Sequence, residues 1–258
     1  MEETMSDKKK MTYKSAAALL KKEFGEIVVD GTQPILQGFS TTSQSIDYVM
    51  GKGFPQGRIV ELFGNEGSGK SSILMLAASS VIKGGGAVLY VDAEQSVDVE
   101  YTQQLTGLDF NNDNIVLIQP DDGEQGLDAV RTAVETGAFS MVIVDSVAAL
   151  VSKKELEGSL TDQFMGVKAR MMGQALERIA AKIRSTNTCL VFINQVREKI
   201  GVMYGNPETT PGGRALKFWA SVRVSVNRGK HIEDKDKTVI GHYMNINCIK
   251  NKVAPPYR

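Results

Sequence analysis

Eight consecutive residues, Gly64-Asn65-Glu66-Gly67-Ser68-Gly69-Lys70-Ser71, match the pattern G-x-x-x-x-G-K-[ST], and Ser72 follows directly. The chemistry of such a run is phosphate binding. Its glycines let backbone N–H groups curl around phosphate oxygens. A helix beginning there adds the partial positive charge of its N-terminus. Lys70 neutralises charge on the β- and γ-phosphates, and the Ser71 hydroxyl is a ligand for Mg²⁺. The apolar run Ile59–Phe63 precedes the match and a helical pattern follows it, which is the context the motif requires. A plain Gly-rich turn is the bland alternative, and it accounts for neither flank. ATP and Mg²⁺ are the expected ligands.

Hydrolysis needs more. Met141-Val142-Ile143-Val144-Asp145 places a carboxylate after four apolar residues, the position from which an acid holds Mg²⁺ beside a phosphate-binding loop; capping the next turn is the simpler use of such an Asp. Two further strand ends offer a group for the attacking water. Leu89-Tyr90-Val91-Asp92-Ala93-Glu94 ends in Glu94, and Val191-Phe192-Ile193-Asn194-Gln195 ends in Gln195. Glu94 suits the role of base, Gln195 that of a sensor of the γ-phosphate. Residues 195–217, QVREKIGVMYGNPETTPGGRALK, read as a long irregular segment. Arg197, Lys199, Arg214 and Lys217 outnumber Glu198 and Glu208 there, interleaved with Ile200, Val202, Met203 and Tyr204. Cations for phosphates and apolar groups for bases are what single-stranded nucleic acid needs. A surface loop without a ligand is the alternative.

Short apolar strands alternating with helices must position these groups. Strands are expected at Arg58–Phe63, Ala87–Asp92, Ile115–Gln119, Met141–Val144 and Thr188–Asn194, and helices at Ser71–Lys83, Val99–Thr106, Glu124–Thr136 and Gly166–Arg184. That alternation defines an α/β fold whose mostly parallel central sheet carries helices on both faces. Phe218–Asn227 and Val239–Lys250 read as an antiparallel hairpin at one edge. Residues 1–10 look like a solvated tail, and Tyr13–Phe24 like an amphipathic helix that docks on its own domain or on a neighbouring subunit. Two parts are expected: 1–30, a tail and helix serving oligomerisation, and 31–258, the core. With 258 residues, 42% of them hydrophobic, the chain has ample core material. Thirty Lys and Arg balance thirty Asp and Glu, so nucleic-acid binding must come from a local patch. Cys189 and Cys248 stand alone in apolar stretches and read as buried thiols. No apolar run approaches the ~18 residues of a membrane span, and the polar first ten residues lack a signal-peptide core. A reducing, cytoplasmic setting is expected.

At this point the chain resembles the bacterial RecA recombinases, from about Ala16 to its last residue. The resemblance rests on Gly57-Arg58-Ile59-Val60-Glu61 before the loop, Asp92-Ala93-Glu94, Val144-Asp145-Ser146-Val147-Ala148-Ala149-Leu150, Met165-Gly166 and Ala169-Arg170-Met171-Met172. It continues through Ile193-Asn194-Gln195, Lys199-Ile200-Gly201-Val202-Met203, Gly205-Asn206-Pro207-Glu208-Thr209-Thr210, Ala215-Leu216-Lys217-Phe218 and Lys250-Asn251-Lys252. It implies a RecA-like P-loop fold and a DNA-dependent ATPase that forms helical filaments on single-stranded DNA and pairs and exchanges strands with double-stranded DNA. Under it, Asp98 and Tyr101 contact adenine, while Lys250 and Lys252 reach the ATP of a neighbouring subunit. Residues around Glu157–Gly166, with Met165, form a first DNA loop, and Gln195–Gly213 a second, in which Ile200 wedges between bases. Arg170, Arg197, Thr209, Gly212 and Gly213 lie near DNA phosphates, and Phe218 at the subunit interface; Lys199 and Arg214 are further DNA-binding candidates, Arg214 as an added cation nearby. Two positions depart from the pattern: Glu177 replaces a backbone-contacting arginine, with Arg178 ~100° round the helix, and Pro211 removes an N–H donor. The family's core also continues past Arg258 into a small C-terminal domain, so the chain is expected to be short at that end. Two other readings stay open: an accessory ATP- and DNA-binding module without strand exchange, and a ring-shaped motor of the same fold.

Overall fold

Parallel strands need crossovers, and the chain supplies a helix or a loop for each. The computed structural model of the protein describes residues 11–25, 36–111, 113–159, 162, 164, 166–198 and 208–258. Two units are distinguished, Met1–Ile35 and Leu36–Arg258. In the first, helix α1 (Tyr13–Phe24) starts where Thr12 Oγ1 accepts the Ser15 N–H at 3.3 Å, satisfying one of the free donors of a helix start.

The second unit opens with β1 (Gly38–Phe39), α2 (Gln44–Met50) and β2 (Phe54–Pro55), followed by β3 (Ile59–Gly64), α3 (Lys70–Lys83), β4 (Val88–Asp92), α4 (Val99–Thr106) and β5 (Ile115–Ile118). Next come α5 (Gly123–Thr136), β6 (Met141–Asp145), α6 (Lys153–Glu157), α7 (Val167–Ile183) and β7 (Cys189–Gln195). The chain continues through β8 (Arg197–Glu198), β9 (Glu208–Thr209), α8 (Ala215–Trp219), β10 (Val222–Glu233) and β11 (Val239–Asn251). Seven strands form one sheet in the order β11-β10-β3-β7-β6-β4-β5. Every neighbouring pair from β10 to β5 is parallel, and β10–β11 is the antiparallel edge hairpin. This is the α/β architecture expected from the sequence.

Strand residues alternate between two cores. Val60, Leu62, Ile143 and Val191 face α3 with Ile73, Leu74 and Ala77. Ile59, Val142, Val144 and Phe192 face α5 and α7 with Val130, Leu176 and Ile179. Cys189 and Cys248 are buried and unpaired, and burial pushes both thiols above their ordinary range. Among the described residues, no helix is long and apolar enough to cross a membrane.

Three expectations need correction. Phe218 does not begin a strand: it lies in α8, and β10 starts at Val222, because Leu216 turns into the core with a helical repeat before alternation begins. The segment 195–217 is not wholly irregular, since β8 pairs with β9 and α8 closes it. The short elements α2, α6 and the β1–β2 ribbon carry too few residues for a periodic signal and were not anticipated.

Candidate nucleotide site and nucleic-acid face

The phosphate-binding loop begins at a point of strand contact. A Cβ on Gly64, the last residue of β3, would lie 1.8 Å from the Val226 carbonyl oxygen of β10, so only glycine permits this approach. Gly67 and Gly69 take φ of +64° and +90°, a region that disfavours side chains. Lys70 folds back over the loop, donating to the carbonyls of Gly64 (3.0 Å) and Asn65 (2.7 Å) and lying 3.4 Å from Ser68 Oγ. Burial lowers its pKa, against the pull of Asp145, Glu94 and Glu66. The result is a cation preset at the mouth of a cradle of backbone donors. Asn65 and Glu66 are exposed at its rim, and Ser72 is half-buried in the first turn of α3.

Ser71 and Asp145 meet. Ser71 Oγ and Tyr90 Oη each donate to Asp145 Oδ2 at 2.7 Å. Burial raises the Asp145 pKa, and these two donors oppose that rise. A hydroxyl and a carboxylate side by side suit a hard cation. Among the described residues, no group of three or more His, Cys, Asp or Glu side chains could hold a metal, so Mg²⁺ here would need phosphate oxygens beside Ser71 and Asp145.

Glu94, just past β4, accepts hydrogen bonds from Ser146 Oγ and from Gln195 Nε2, the latter at 3.1 Å. The two candidates from separate strand ends therefore touch. Asp92, fully buried, accepts from the Ser96 N–H (3.1 Å), the Val97 N–H (3.0 Å) and Gln119 Nε2 (3.0 Å). It shapes the loop that leads to Asp98, which caps α4 by accepting the Tyr101 N–H at 2.9 Å. Asp98 and Tyr101 line one cavity of about 210 Å³ together with Ser71, Ser72, Tyr90 and Asp145. An apolar ring surface thus sits at one end and phosphate chemistry at the other.

A second cluster forms where β7 leaves the sheet. The β8–β9 ribbon sets Arg197 opposite Thr209. Gly212 and Gly213 (φ +87° and +74°) pack so closely that a Cβ would meet Val147 at 3.0 Å and Ala169 at 2.7 Å. This brings them beside Arg170 in the first turn of α7. Lys168 donates to the Ala148 carbonyl at 2.6 Å; burial lowers its pKa, Glu155 opposes this, and Arg197 lowers it further. Arg214 stands at the start of α8, and Lys217 Nζ lies 3.4 Å from Thr209 Oγ1. Met165, Lys199 and Ile200 lie outside the described residues. Glu177 and Arg178 are both exposed, and Arg178 lines a groove between α5 and α7 with Asp128 and Arg131. The two occupy different sectors of the helix. Pro211 lacks an N–H, but its carbonyl accepts from Asn194 Nδ2 at 3.0 Å.

Lys250 and Lys252 lie apart from the chain's own loop. Lys250 pairs with Arg223, itself level with Glu61, three residues before Gly64 on β3. Its ammonium donates to the carbonyls of Lys217 (2.7 Å) and Phe218 (3.0 Å), while Phe218 is 69% exposed and Lys252 is exposed. Four groups near these sites escaped the sequence reading. Tyr90 and Ser146 looked like core and turn, and Lys168 like one more surface lysine. Arg228, whose guanidinium donates to the Gly67 carbonyl at 2.8 Å, lies 161 positions from its partner and carries no local signal.

A Gly-rich loop between strand and helix, a lysine folded over it and a buried aspartate at the end of β6, two strands away in the same sheet, define a P-loop nucleoside triphosphatase. The model of the RecA N-terminal domain matches residues 11–258. Protein RecA of Mesomycoplasma hyopneumoniae (strain J) is 46% identical over 254 residues, 96% of this chain and 74% of that protein. Protein RecA of Lactiplantibacillus pentosus is 43% identical over 259 residues, covering 98% and 68%. The crystal structure of the RadB recombinase shares the fold, with a TM-score of 0.61 at 18% identity over 85% of this chain and 93% of that one. The chain belongs to the RecA family, the recombinases that hydrolyse ATP in a DNA-dependent way.

Proposed function

We propose that the protein binds ATP with Mg²⁺ at Gly64–Ser72, assembles as a helical filament on single-stranded DNA, and promotes pairing and strand exchange with a homologous duplex. The observation that carries this reading is the Gln195–Glu94 hydrogen bond. It joins the group that would activate water to the strand that runs directly into Arg197 and the second DNA segment.

In this mechanism Lys70 and the loop N–H groups bind the β- and γ-phosphates, and Ser71 and Asp145 hold the metal. Magnesium, when bound, neutralises phosphate charge and withdraws electrons from the leaving oxygen. Glu94 takes the proton of the attacking water on its carboxylate. Gln195 fixes that carboxylate and senses the γ-phosphate through the same amide, while Tyr101 stacks on adenine and Asp98 contacts its edge. Lys250 and Lys252 act on the ATP of the adjoining subunit, Phe218 sits in that interface, and residues 1–30 dock on a neighbour to extend the filament. Arg170, Arg197, Thr209, Gly212 and Gly213 contact DNA phosphates, Ile200 wedges between bases, and Met165, Lys199 and Arg214 are further DNA contacts. The setting is the cytoplasm. The test is ATP turnover with and without single-stranded DNA, followed by exchange between a circular single strand and a linear duplex. A rate indifferent to DNA overturns the reading; stimulated turnover without exchange favours the accessory module.

A further inference from the structure

One buried carboxylate lies outside the machinery described so far. Glu61 is fully buried on β3, three residues before the phosphate-binding loop. Each of its oxygens serves a different neighbouring strand. Oε2 accepts from Arg223 Nε of β10 at 2.5 Å, and Oε1 accepts from Asn194 Nδ2 of β7 at 3.0 Å. Arg223 is cross-strand partner to Glu61 on one side and to Lys250 on the other, and its guanidinium lies 4.9 Å from the centre of the Phe63 ring. Asn194 uses the same amide on the Pro211 carbonyl (3.0 Å), and its Oδ1 accepts the Gln195 N–H at 3.1 Å.

Lys250, Arg223, Glu61 and Asn194 therefore form a polar rung across four adjacent strands, on the face of the sheet that packs against α7 and α8. The rung is stepped at its last member, because Glu61 pairs with Phe192 and Asn194 lies two residues further along β7. The rung spans about 14 Å at the usual strand spacing. One end is the lysine assigned to a neighbour's ATP. The other end is the residue that anchors both Gln195 and the return of the second DNA segment.

We propose that Glu61 is a positioning residue that, through Arg223 and Asn194, couples the DNA segment at Pro211 to the neighbour-facing Lys250. The proposal rests on the functional reading above and adds a path for its regulation. A buried carboxylate with one cationic and one amide partner is held tightly by both. Movement of Asn194 with the DNA segment changes what Glu61 offers Arg223. Arg223 shares a register position with Lys250, so the lysine's surroundings change with it.

The test compares wild type, Glu61→Gln, Asn194→Ala and the double variant, as full chains. Four quantities are measured: affinity for a fluorescent ATP analogue, turnover without DNA, turnover with saturating oligo-dT, and the thermal midpoint. Both single variants are expected to lower the ratio of stimulated to unstimulated turnover about tenfold, a typical coupling, with nucleotide affinity close to wild type. The double variant is expected to lose no more than either single one, since both break one path. Asn194→Ala leaves the Glu61–Arg223 pair intact and decides the matter if Glu61→Gln does not fold. A folded Asn194→Ala protein with the wild-type ratio, or losses that add in the double variant, overturns the rung. Wild-type protein without DNA stimulation overturns instead the functional reading on which it rests.

Discussion

Glu94 and Gln195 are separated by 101 positions in the chain and by one hydrogen bond in space. The carboxylate keeps one partner just past the end of the adjacent β6, Ser146, and one at the end of β7, Gln195, which fixes its direction without supplying a counter-charge. Glu94→Gln keeps the shape of that contact but cannot accept the proton of water. Turnover is expected to fall about 10²–10⁴-fold with unchanged binding of a fluorescent ATP analogue; near-normal turnover would remove Glu94 from the mechanism. Asp145 is tested through its metal. Its Oδ2 already takes hydrogen bonds from Ser71 and Tyr90, so Asp145→Asn alters both the charge and the orientation of Ser71. The magnesium concentration for half-maximal hydrolysis is expected to rise about 10–100-fold, read from a metal titration at saturating ATP. Lys70, Ser71 and Asp145 were legible in the sequence because motif and strand end are local patterns. Tyr90 was not, since an aromatic residue in a buried strand has the same pattern whether or not its hydroxyl holds a carboxylate.

At the scale of elements, the loop depends on how closely β3 and β10 approach. Gly64→Ala places a methyl group against the Val226 carbonyl, and overpacking of that kind costs about 1–3 kcal/mol. A lowered thermal midpoint, with weaker nucleotide binding, is the expected result; an unchanged midpoint would show that the strands part freely. The β8–β9 ribbon sets the backbone of Arg197 opposite Thr209 and leaves the residue exposed. Arg197→Ala is expected to weaken single-stranded DNA binding and to reduce the slope of log affinity against log salt by about 0.7, one phosphate contact. An unaltered slope would place Arg197 off the phosphates. The long strands and helices were readable because burial on both sheet faces imposes apolar runs. Ribbons of two residues and helices of five or seven, such as β8–β9 and α6, are held by tertiary contacts and leave no periodicity.

For the whole molecule, the position of Lys250 and Lys252 decides whether one subunit suffices. Both sit two strands over from β3 and toward its start, with Lys250 tied to the α8 carbonyls beside exposed Phe218. If the lysines serve a neighbour, ATP bridges two subunits and stabilises the assembled state by mass action. Replacing both lysines by Ala is expected to preserve ATP binding but abolish DNA-stimulated turnover and long filaments seen by electron microscopy. Mixed with Glu94→Gln protein, that variant is expected to regain measurable hydrolysis, since each supplies the half the other lacks. Absence of recovery, with co-assembly shown by light scattering, would place a complete site in each subunit.

The order of strands and helices, the phosphate-binding loop and the carboxylates at strand ends could all be read from the sequence, because each follows from residues within about ten positions of one another. Tertiary structure alone decided the pairings between distant positions: Glu94 with Gln195, Arg228 with Gly67, and Glu61 with both Arg223 and Asn194. Strand order β10-β3-β7 sets residue 223 level with 61 and places 194 two residues past 192, the register partner of 61, within reach of its carboxylate. That order is set by how two cores share one sheet, and no local pattern encodes it. Glu61 shows the difference most plainly. In the sequence it is a charge inside an apolar run, and only the neighbouring strands show why a fully buried carboxylate is stable there: each of its oxygens has a donor.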